Sequence, residues 1–142
     1  MALSISFSMR LAEPSTTRHA QSLDWFREVR MANYHFSVDI VKRSAGRSSV
    51  AAAAYRSGEK LTDFRTGKRY DFRHKDDVTH KTIMLPDSAP AWMKDRQALW
   101  NYVEQFEKRV DAQLCRDVNF DLPKELTTQQ NIELAEKFVQ DM

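Results

Sequence analysis

The chain has 142 residues, with 22 lysines and arginines against 20 aspartates and glutamates. Its hydrophobic share of 42% is enough for one domain with a core, which excludes disorder throughout. Cys115 is the one cysteine, which excludes an intrachain disulfide and fits a reducing compartment. Because no apolar run approaches the roughly 18 residues of a membrane span and no signal-peptide pattern opens the chain, we expect a cytoplasmic protein.

The first 30 residues differ in composition from the rest. Serine, threonine and proline interrupt their apolar periodicity, and only Leu23 to Val29 could form a short helix. We therefore expect residues 1–30 to be a poorly structured extension, followed by a second translation start at Met31. Residues 31–142 form the folded part.

The first regular element is a strand over residues 34–41, where apolar and polar side chains alternate. Its core face would carry Tyr34, Phe36, Val38 and Ile40. A helix over residues 50–61 follows, because four consecutive alanines favour helix and Ser48 or Ser49 can cap it. Its buried stripe comprises Val50, Ala53, Ala54, Ser57 and Leu61.

Polar residues around Gly67 predict a basic loop or hairpin over residues 62–80, and a short strand over residues 80–85. A helix entered through Pro90 and capped by Asp87 or Ser88 should bury five apolar residues: Trp92, Leu99, Val103, Phe106 and Val110. Glu104 and Lys108 are expected as an exposed pair on its wet side.

Alternation resumes over residues 114–122, which predicts a strand with Asp117, Asn119 and Asp121 on its polar face. The capping box Thr127 to Gln130 then starts a helix that buries Ile132, Ala135, Phe138, Val139 and Met142. This order predicts an α+β domain with an antiparallel or mixed sheet covered on one face by helices. Three strands leave the sheet incomplete, so further strands are expected after Met142.

Charge is concentrated between Lys42 and Lys75. Ten basic residues stand there against three acidic ones, which gives the segment a net charge of +7. A basic segment with aromatic residues favours a nucleic-acid partner, and a solvated basic surface is the alternative. Tyr70 and Phe72 could stack on bases or pack in the core.

Tyr55 is the candidate nucleophile. It follows the four alanines, lies off the buried stripe, and is followed by Arg56 and Lys60. A phenol attacks phosphorus only with cations or a metal nearby, and a packing tyrosine is the alternative. Cys115 is expected to be a buried structural thiol. The four histidines lack metal-ligand spacing, so we expect no metal site from this chain alone.

Several motifs together resemble the start of MobA/MobL conjugative relaxases. The strongest is RSAGRSSVAAAAYRSGEKL at residues 43–61, which follows YHFSV at 34–38. The resemblance continues through THKTIMLP at 79–86 and LPKEL at 122–126, and covers roughly residues 31–142.

The resemblance implies a single-strand endonuclease of the HUH class. Tyr55 would attack a phosphodiester at a plasmid transfer origin and remain linked to the 5′ end of the nicked strand. Members of the family hold a divalent cation, Mg²⁺ or Mn²⁺, with three histidines that would lie beyond this chain. Relatives tend to have two supporting glutamates where this chain has Asp117 and Asn119, so the resemblance implies Asp117 as support for the metal cluster.

The partners implied are single-stranded DNA at the transfer origin and, as further possibilities, other relaxosome proteins or a type IV secretion coupling protein. The residues expected to contact DNA are Arg43, Arg47, Arg56 and Lys60. Two alternatives stay open: a non-catalytic single-strand-binding remnant of a truncated relaxase gene, and a module that binds an acidic protein.

Overall fold

The structure, a computed structural model, describes residues 35–142. The predictions for residues 1–30, for the start at Met31 and for Tyr34 lie outside that range. The described chain forms four strands and three α-helices, which are β1 (Phe36–Lys42), α1 (Ser49–Ser57), β2 (Lys60–Thr62), β3 (Arg69–Asp71), α2 (Arg96–Phe106), β4 (Gln113–Phe120) and α3 (Thr128–Asp141). The α+β class predicted from the sequence is confirmed.

Strands β1 and β4 pair antiparallel, from Phe36 opposite Phe120 to Val41 opposite Cys115. The alternation of apolar residues located both strands correctly, but the predicted core face of β1 was wrong. Phe36 and Val38 are 58% and 49% exposed, whereas Val41, on the other face, is fully buried. The register shifts between Val41 and Lys42.

Helix α1 forms the centre of the packing. Its predicted stripe is confirmed for the four residues Val50, Ala53, Ala54 and Ser57, which are at most 6% exposed. The predicted end of the helix at Leu61 is wrong, because α1 ends at Ser57 and the buried Leu61 belongs to the next strand. Ser48 caps the first turn, and Gly58 ends the helix in a left-handed conformation (φ 60°), which places Leu61 in β2. The helix packs with Leu61 against Trp100 of α2.

The hairpin predicted between residues 62 and 80 is confirmed as β2 and β3, which pair antiparallel. The strand predicted over residues 80–85 is wrong, because that segment has no strand partner. Side chains hold it instead: Arg96 donates to the carbonyl of Thr82 at 3.4 Å, and Lys81 bonds to Glu59 at 2.8 Å.

The helix predicted after Pro90 is divided. A 3-10 helix spans Ala91–Lys94, and α2 begins afterwards with Asp95 as its cap, so the predicted caps were wrong. The apolar stripe holds only for Leu99 and the half-buried Val103, and Trp100 is the larger buried side chain. Exposed apolar residues from the predicted stripe are Trp92, Phe106 and Val110.

The capping box of α3 is confirmed, with Thr127 and Gln130 bonding each other's backbone N–H groups. Ala135 is fully buried, and the Phe138 ring lies 6.4 Å from Phe36 and 5.1 Å from Phe120. Phe138 and Met142 were placed in the buried stripe but are 38% and 58% exposed.

Helices therefore lie on both faces of the β1–β4 ribbon, which corrects the single covered face expected. Helix α3 contacts the Phe120 face, and α1 contacts the opposite face. There Cys115 packs against two core clusters, one that contains Val50 and Trp100 and one that contains Val41 and Leu114. Among residues 35–142 the strands form two separate two-stranded sheets.

Candidate functional site

Tyr55 lies in the last turns of α1, outside the buried stripe, as its helical position predicts. Its side chain is 46% exposed. The four residues before it are alanines, so the helix carries only small side chains there. Ala53 and Ala54 are buried, and Ala51 and Ala52 are half-buried. A rigid helix thus presents a partly exposed phenol.

Two side chains from the segment after β3 contact the Tyr55 ring. The Phe72 ring packs edge-on against it, with centroids 5.3 Å apart and planes at 89°. The Lys75 Nζ lies 3.8 Å from the centroid of the Tyr55 ring. Phe72, like Tyr70, also packs against the core around α1, so both aromatics have core contacts whether or not they meet bases.

Arg56 points from α1 to the β1–β4 ribbon. Its Nε and Nη2 donate to Oδ2 of Asp117 at 3.2 and 2.7 Å. Asp39 stands directly opposite Asp117 on β1, and Arg47 donates to it at 2.5 Å, which lowers the pKa of Asp39. Two arginines therefore neutralise a pair of carboxylates that face each other across the ribbon.

The four residues expected to contact DNA differ in exposure. Lys60 is exposed at the start of β2, and Arg47 is 41% exposed. Arg56 is 22% exposed in its pair with Asp117. Arg43 is 13% exposed and is bound within the protein. Contact with DNA remains a prediction for all four, and the geometry favours Lys60 and Arg47.

Glu104 is the buried charge that sequence reasoning placed on the surface. Its carboxylate is fully buried and accepts from the Ser49 N–H at 2.7 Å and the Ser49 hydroxyl at 2.9 Å. Arg43 donates to its other oxygen at 3.1 Å, and Arg65 lies 3.4 Å away. A carboxylate at this position satisfies free N–H groups at the start of α1 and favours the helix dipole.

Arg43 also donates to three backbone carbonyl oxygens after or within α2, those of Glu104, Glu107 and Arg109. It thereby ties the end of β1 to the end of α2. The predicted exposed pair between Glu104 and Lys108 is wrong, because α2 ends at Phe106.

A second buried carboxylate, Asp63, organises the β2–β3 turn. It accepts from the Ser48 hydroxyl at 3.0 Å and from the N–H groups of Arg65 and Thr66 at 2.9 and 3.2 Å. The turn and the cap of α1 are therefore linked through Ser48.

Cys115 was predicted to be a buried structural thiol, and its side chain is half-buried. Burial raises the pKa of this thiol to about 12, and Asp117 contributes in the same direction. The side chain packs against both core clusters.

Residues 35–142 contain no group of three or more histidine, cysteine, aspartate or glutamate side chains that could hold a metal ion. His80 lies 3.6 Å from Glu136, and His35 lies 3.3 Å from the Ser37 hydroxyl. Asp117 is engaged with Arg56, so its support of a metal cluster remains a prediction. The described part of the chain does not by itself fit a bound cation.

The basic segment from Lys42 to Lys75 is mostly open to solvent. Seven of its ten cations are exposed, and the other three, Arg43, Arg56 and Lys75, are partly buried. At the hairpin tip, the 57% exposed ring of Phe64 stands beside exposed Arg65. Sequence reasoning missed that these three cations pair within the protein, Arg43 with Glu104, Arg56 with Asp117 and Lys75 with Asp77. Arg43 and Arg56 lie in the motif around Tyr55, whereas nothing in the sequence distinguishes Lys75.

No helix within residues 35–142 is both long and apolar enough to cross a membrane.

Comparison with known proteins places these features in one family. The profile of the MobA/MobL family matches residues 47–142. A probable conjugal transfer protein TraA of Sinorhizobium fredii is 44% identical over 120 residues, which cover 78% of this chain and 11% of that protein. The mobilization protein MobL of Acidithiobacillus ferridurans is 47% identical over 105 residues, 74% of this chain and 27% of that protein.

A solved structure described as the molecular basis of vancomycin resistance transfer in Staphylococcus aureus is also similar. It superposes with a TM-score of 0.72 at 34% identity, over 77% of this chain and 56% of that one. The chain thus spans about a tenth of the TraA relative and about a quarter of the MobL relative. By sequence and by fold, the chain belongs to the MobA/MobL family.

Proposed function

We propose that the chain is the nucleophile-bearing part of a plasmid mobilisation protein that nicks one DNA strand at a transfer origin. The observation that carries this proposal is the partly exposed Tyr55 on a rigid helix within the family's matched region. The relatives are named as conjugal transfer and mobilization proteins, which supports a role in plasmid mobilisation.

The proposed step is a transesterification. The phenolic oxygen of Tyr55 bonds to phosphorus, and the bond from phosphorus to the 3′ oxygen of the preceding nucleotide breaks. The phenol loses one proton and the leaving oxygen gains one, so no water is consumed. The product is a phosphotyrosine at the 5′ end of the nicked strand and a free 3′ hydroxyl.

The basic segment supports a single-stranded DNA partner. Its exposed cations, including Lys60 and Arg47, would follow the backbone, and the exposed Phe64 ring at the hairpin tip is suited to base stacking. Because phosphate contacts release counterions, affinity should fall steeply as salt rises.

A divalent cation, Mg²⁺ or Mn²⁺, is proposed for the reaction by analogy with other members of the MobA/MobL family. Such an ion would neutralise charge on the scissile phosphate. Since the described residues lack a metal cluster, its ligands would come from other residues, and Asp117 is proposed only as support for them.

The test is adduct formation by the protein with a single-stranded oligonucleotide of the transfer origin, with Mn²⁺ or Mg²⁺. A dye at the 3′ end should migrate with the protein on a denaturing gel, and a dye at the 5′ end should mark the free 3′ hydroxyl product. Tyr55→Phe should abolish the adduct. Tyr102→Phe is the matched control, because Tyr102 is a helical tyrosine that is 43% exposed. An adduct that persists in Tyr55→Phe would exclude Tyr55 as the nucleophile.

A second candidate is binding to single-stranded DNA without cleavage, which the seven exposed cations of the basic segment would also support. Salt-sensitive binding of the oligonucleotide, with no adduct from either metal, would support this function instead of nicking. Binding that is unaffected by nucleic-acid competitors would indicate an acidic protein partner.

A further inference from the structure

The ammonium group of Lys75 lies over the face of the Tyr55 ring, with Nζ 3.8 Å from the ring centroid. Cations within about 6 Å of an aromatic face are attracted by its quadrupole, and most strongly where water is excluded. The Lys75 side chain is only 11% exposed. We propose that Lys75 is a positioning residue that holds the Tyr55 ring for attack on DNA, an inference that rests on the proposed role of Tyr55.

The ring is held from a second direction. Phe72 packs edge-on against it at 5.3 Å. A ring with a cation on its face and an aromatic edge beside it has little freedom to rotate, although 46% of the Tyr55 side chain remains exposed. Restricting a nucleophile in this way lowers the entropy lost on reaching the reactive geometry.

Lys75 is held within the segment that follows β3, and this segment packs on the end of α1. Its N–H donates to the carbonyl of Phe72 at 3.0 Å, and its Nζ lies 3.4 Å from Oδ1 of Asp77. Val78 packs so closely on Gly58 that a Cβ there would lie 3.2 Å from Cγ2 of Val78. The segment of residues 72–78 is therefore attached to the C-terminal turn that follows Tyr55.

The burial of Lys75 separates it from the cations suited to bind phosphate. Exposed neighbours such as Lys68 and Arg69 can follow a DNA backbone without losing a protein contact. Lys75 would have to leave the Tyr55 ring and Asp77 to do so. Its loss should therefore lower the rate of reaction and not the affinity for DNA.

The contact is tested first in solution by NMR. Ring current from Tyr55 should shift the ε-methylene protons of Lys75 upfield. The shift should persist in Tyr55→Phe, which keeps a ring, and disappear in Tyr55→Leu. Lys75 protons at random-coil positions in the folded wild-type protein would overturn the proposal.

The role is tested by adduct formation under the conditions given for Tyr55. Lys75→Met keeps the length of the side chain and removes its charge, and should slow adduct formation about tenfold with oligonucleotide affinity within about twofold of wild type. Lys75→Arg should recover most of the rate. The matched control Lys108→Met, at an exposed lysine outside the basic segment, should change neither the rate nor the affinity.

Three outcomes overturn the inference while the function stands: a wild-type rate in Lys75→Met, a loss that follows weaker binding, or no recovery in Lys75→Arg. A wild-type protein that forms no adduct overturns the proposed function, and this inference with it. A thermal melt of each variant identifies any loss caused by unfolding.

Discussion

The two ends of α1 are held in opposite ways. At the start of the helix, the fully buried Glu104 accepts from Ser49, and Ser48 bonds to the buried Asp63. Near the end, Tyr55 is 46% exposed and is contacted by an aromatic edge and a lysine. One end is fixed by charged hydrogen bonds without access to water, and the other is open on one side.

This difference shows how a short helix can present a reactive group accurately. The helix has nine residues, so it spans about 14 Å and its own hydrogen bonds alone would not keep it folded. Anchoring its first turn fixes the direction of the axis. The last turns can then remain accessible without becoming loose.

The start of α1 should depend most strongly on Glu104. Glu104→Ala leaves Ser49 and Arg43 with unsatisfied groups in the interior, and should cost about 3–5 kcal/mol of unfolding free energy. Urea denaturation followed by circular dichroism measures it. Gln105→Ala, an exposed neighbour on α2, should change stability by less than about 0.5 kcal/mol. Equal effects of the two substitutions would show that the start of α1 does not depend on this carboxylate.

Loss of the helix cap should have a smaller effect. Ser48→Ala removes the acceptor for the Ala51 N–H and the donor to Asp63, and should cost about 1–2 kcal/mol in the same measurement. Ser44→Ala, at an exposed position before the helix, is the control. A neutral result for Ser48→Ala would mean that water replaces both bonds.

The ion pair between Arg56 of α1 and Asp117 of the ribbon should give unequal stability losses when either partner is replaced. Arg56→Ala leaves Asp117 opposite Asp39 with one fewer cation, and should cost about 1 kcal/mol. Asp117→Asn removes the repulsion as well as the ion pair, so it should cost less. The double variant completes a cycle with a coupling of about 0.5–1 kcal/mol. A larger loss from Asp117→Asn than from Arg56→Ala would refute the repulsion argument.

The smallest effect concerns Cys115 at high pH. Because burial raises its pKa to about 12, the folded protein keeps a proton that the unfolded chain loses near pH 9. The stabilisation that comes from this retained proton is complete below about pH 9 and is lost as the pH rises towards 12. The loss at about pH 9.5 is less than about 1 kcal/mol. The stability difference between wild type and Cys115→Ala should therefore shrink between about pH 7.5 and about pH 9.5. A constant difference would contradict the raised pKa.

Local periodicity and capping residues were enough to predict the existence and the starts of α1 and α3, but not the end of α1. The buried stripe of α1 repeats at helical spacing, and the capping box at Thr127 acts within four residues, so neither depends on distant parts of the chain. The position of Tyr55 outside that stripe followed from the same spacing.

Features that depend on distant partners were not predictable in this way. Glu104 has the spacing of a surface charge, but its partners Ser49 and Arg43 lie 55 and 61 residues away in sequence. Residues 80–85 have the composition of a strand but lack a pairing partner. The core face of β1 was misassigned because helices approach the ribbon from both sides, and Phe36 meets only the end of α3.

The buried bond between Ser49 and Glu104 also constrains how the sequence can change over time. Loss of the Glu104 carboxylate leaves both the N–H and the hydroxyl of Ser49 without their acceptor, whereas a substitution at position 49 removes only the hydroxyl bond, because the backbone N–H remains. Lineages that keep the fold should therefore change position 49 more readily than position 104, and a glutamine at position 104 should coincide with changes at Arg43. Position 104 is thus constrained by the fold alone, since its buried carboxylate is closed to any partner outside the protein.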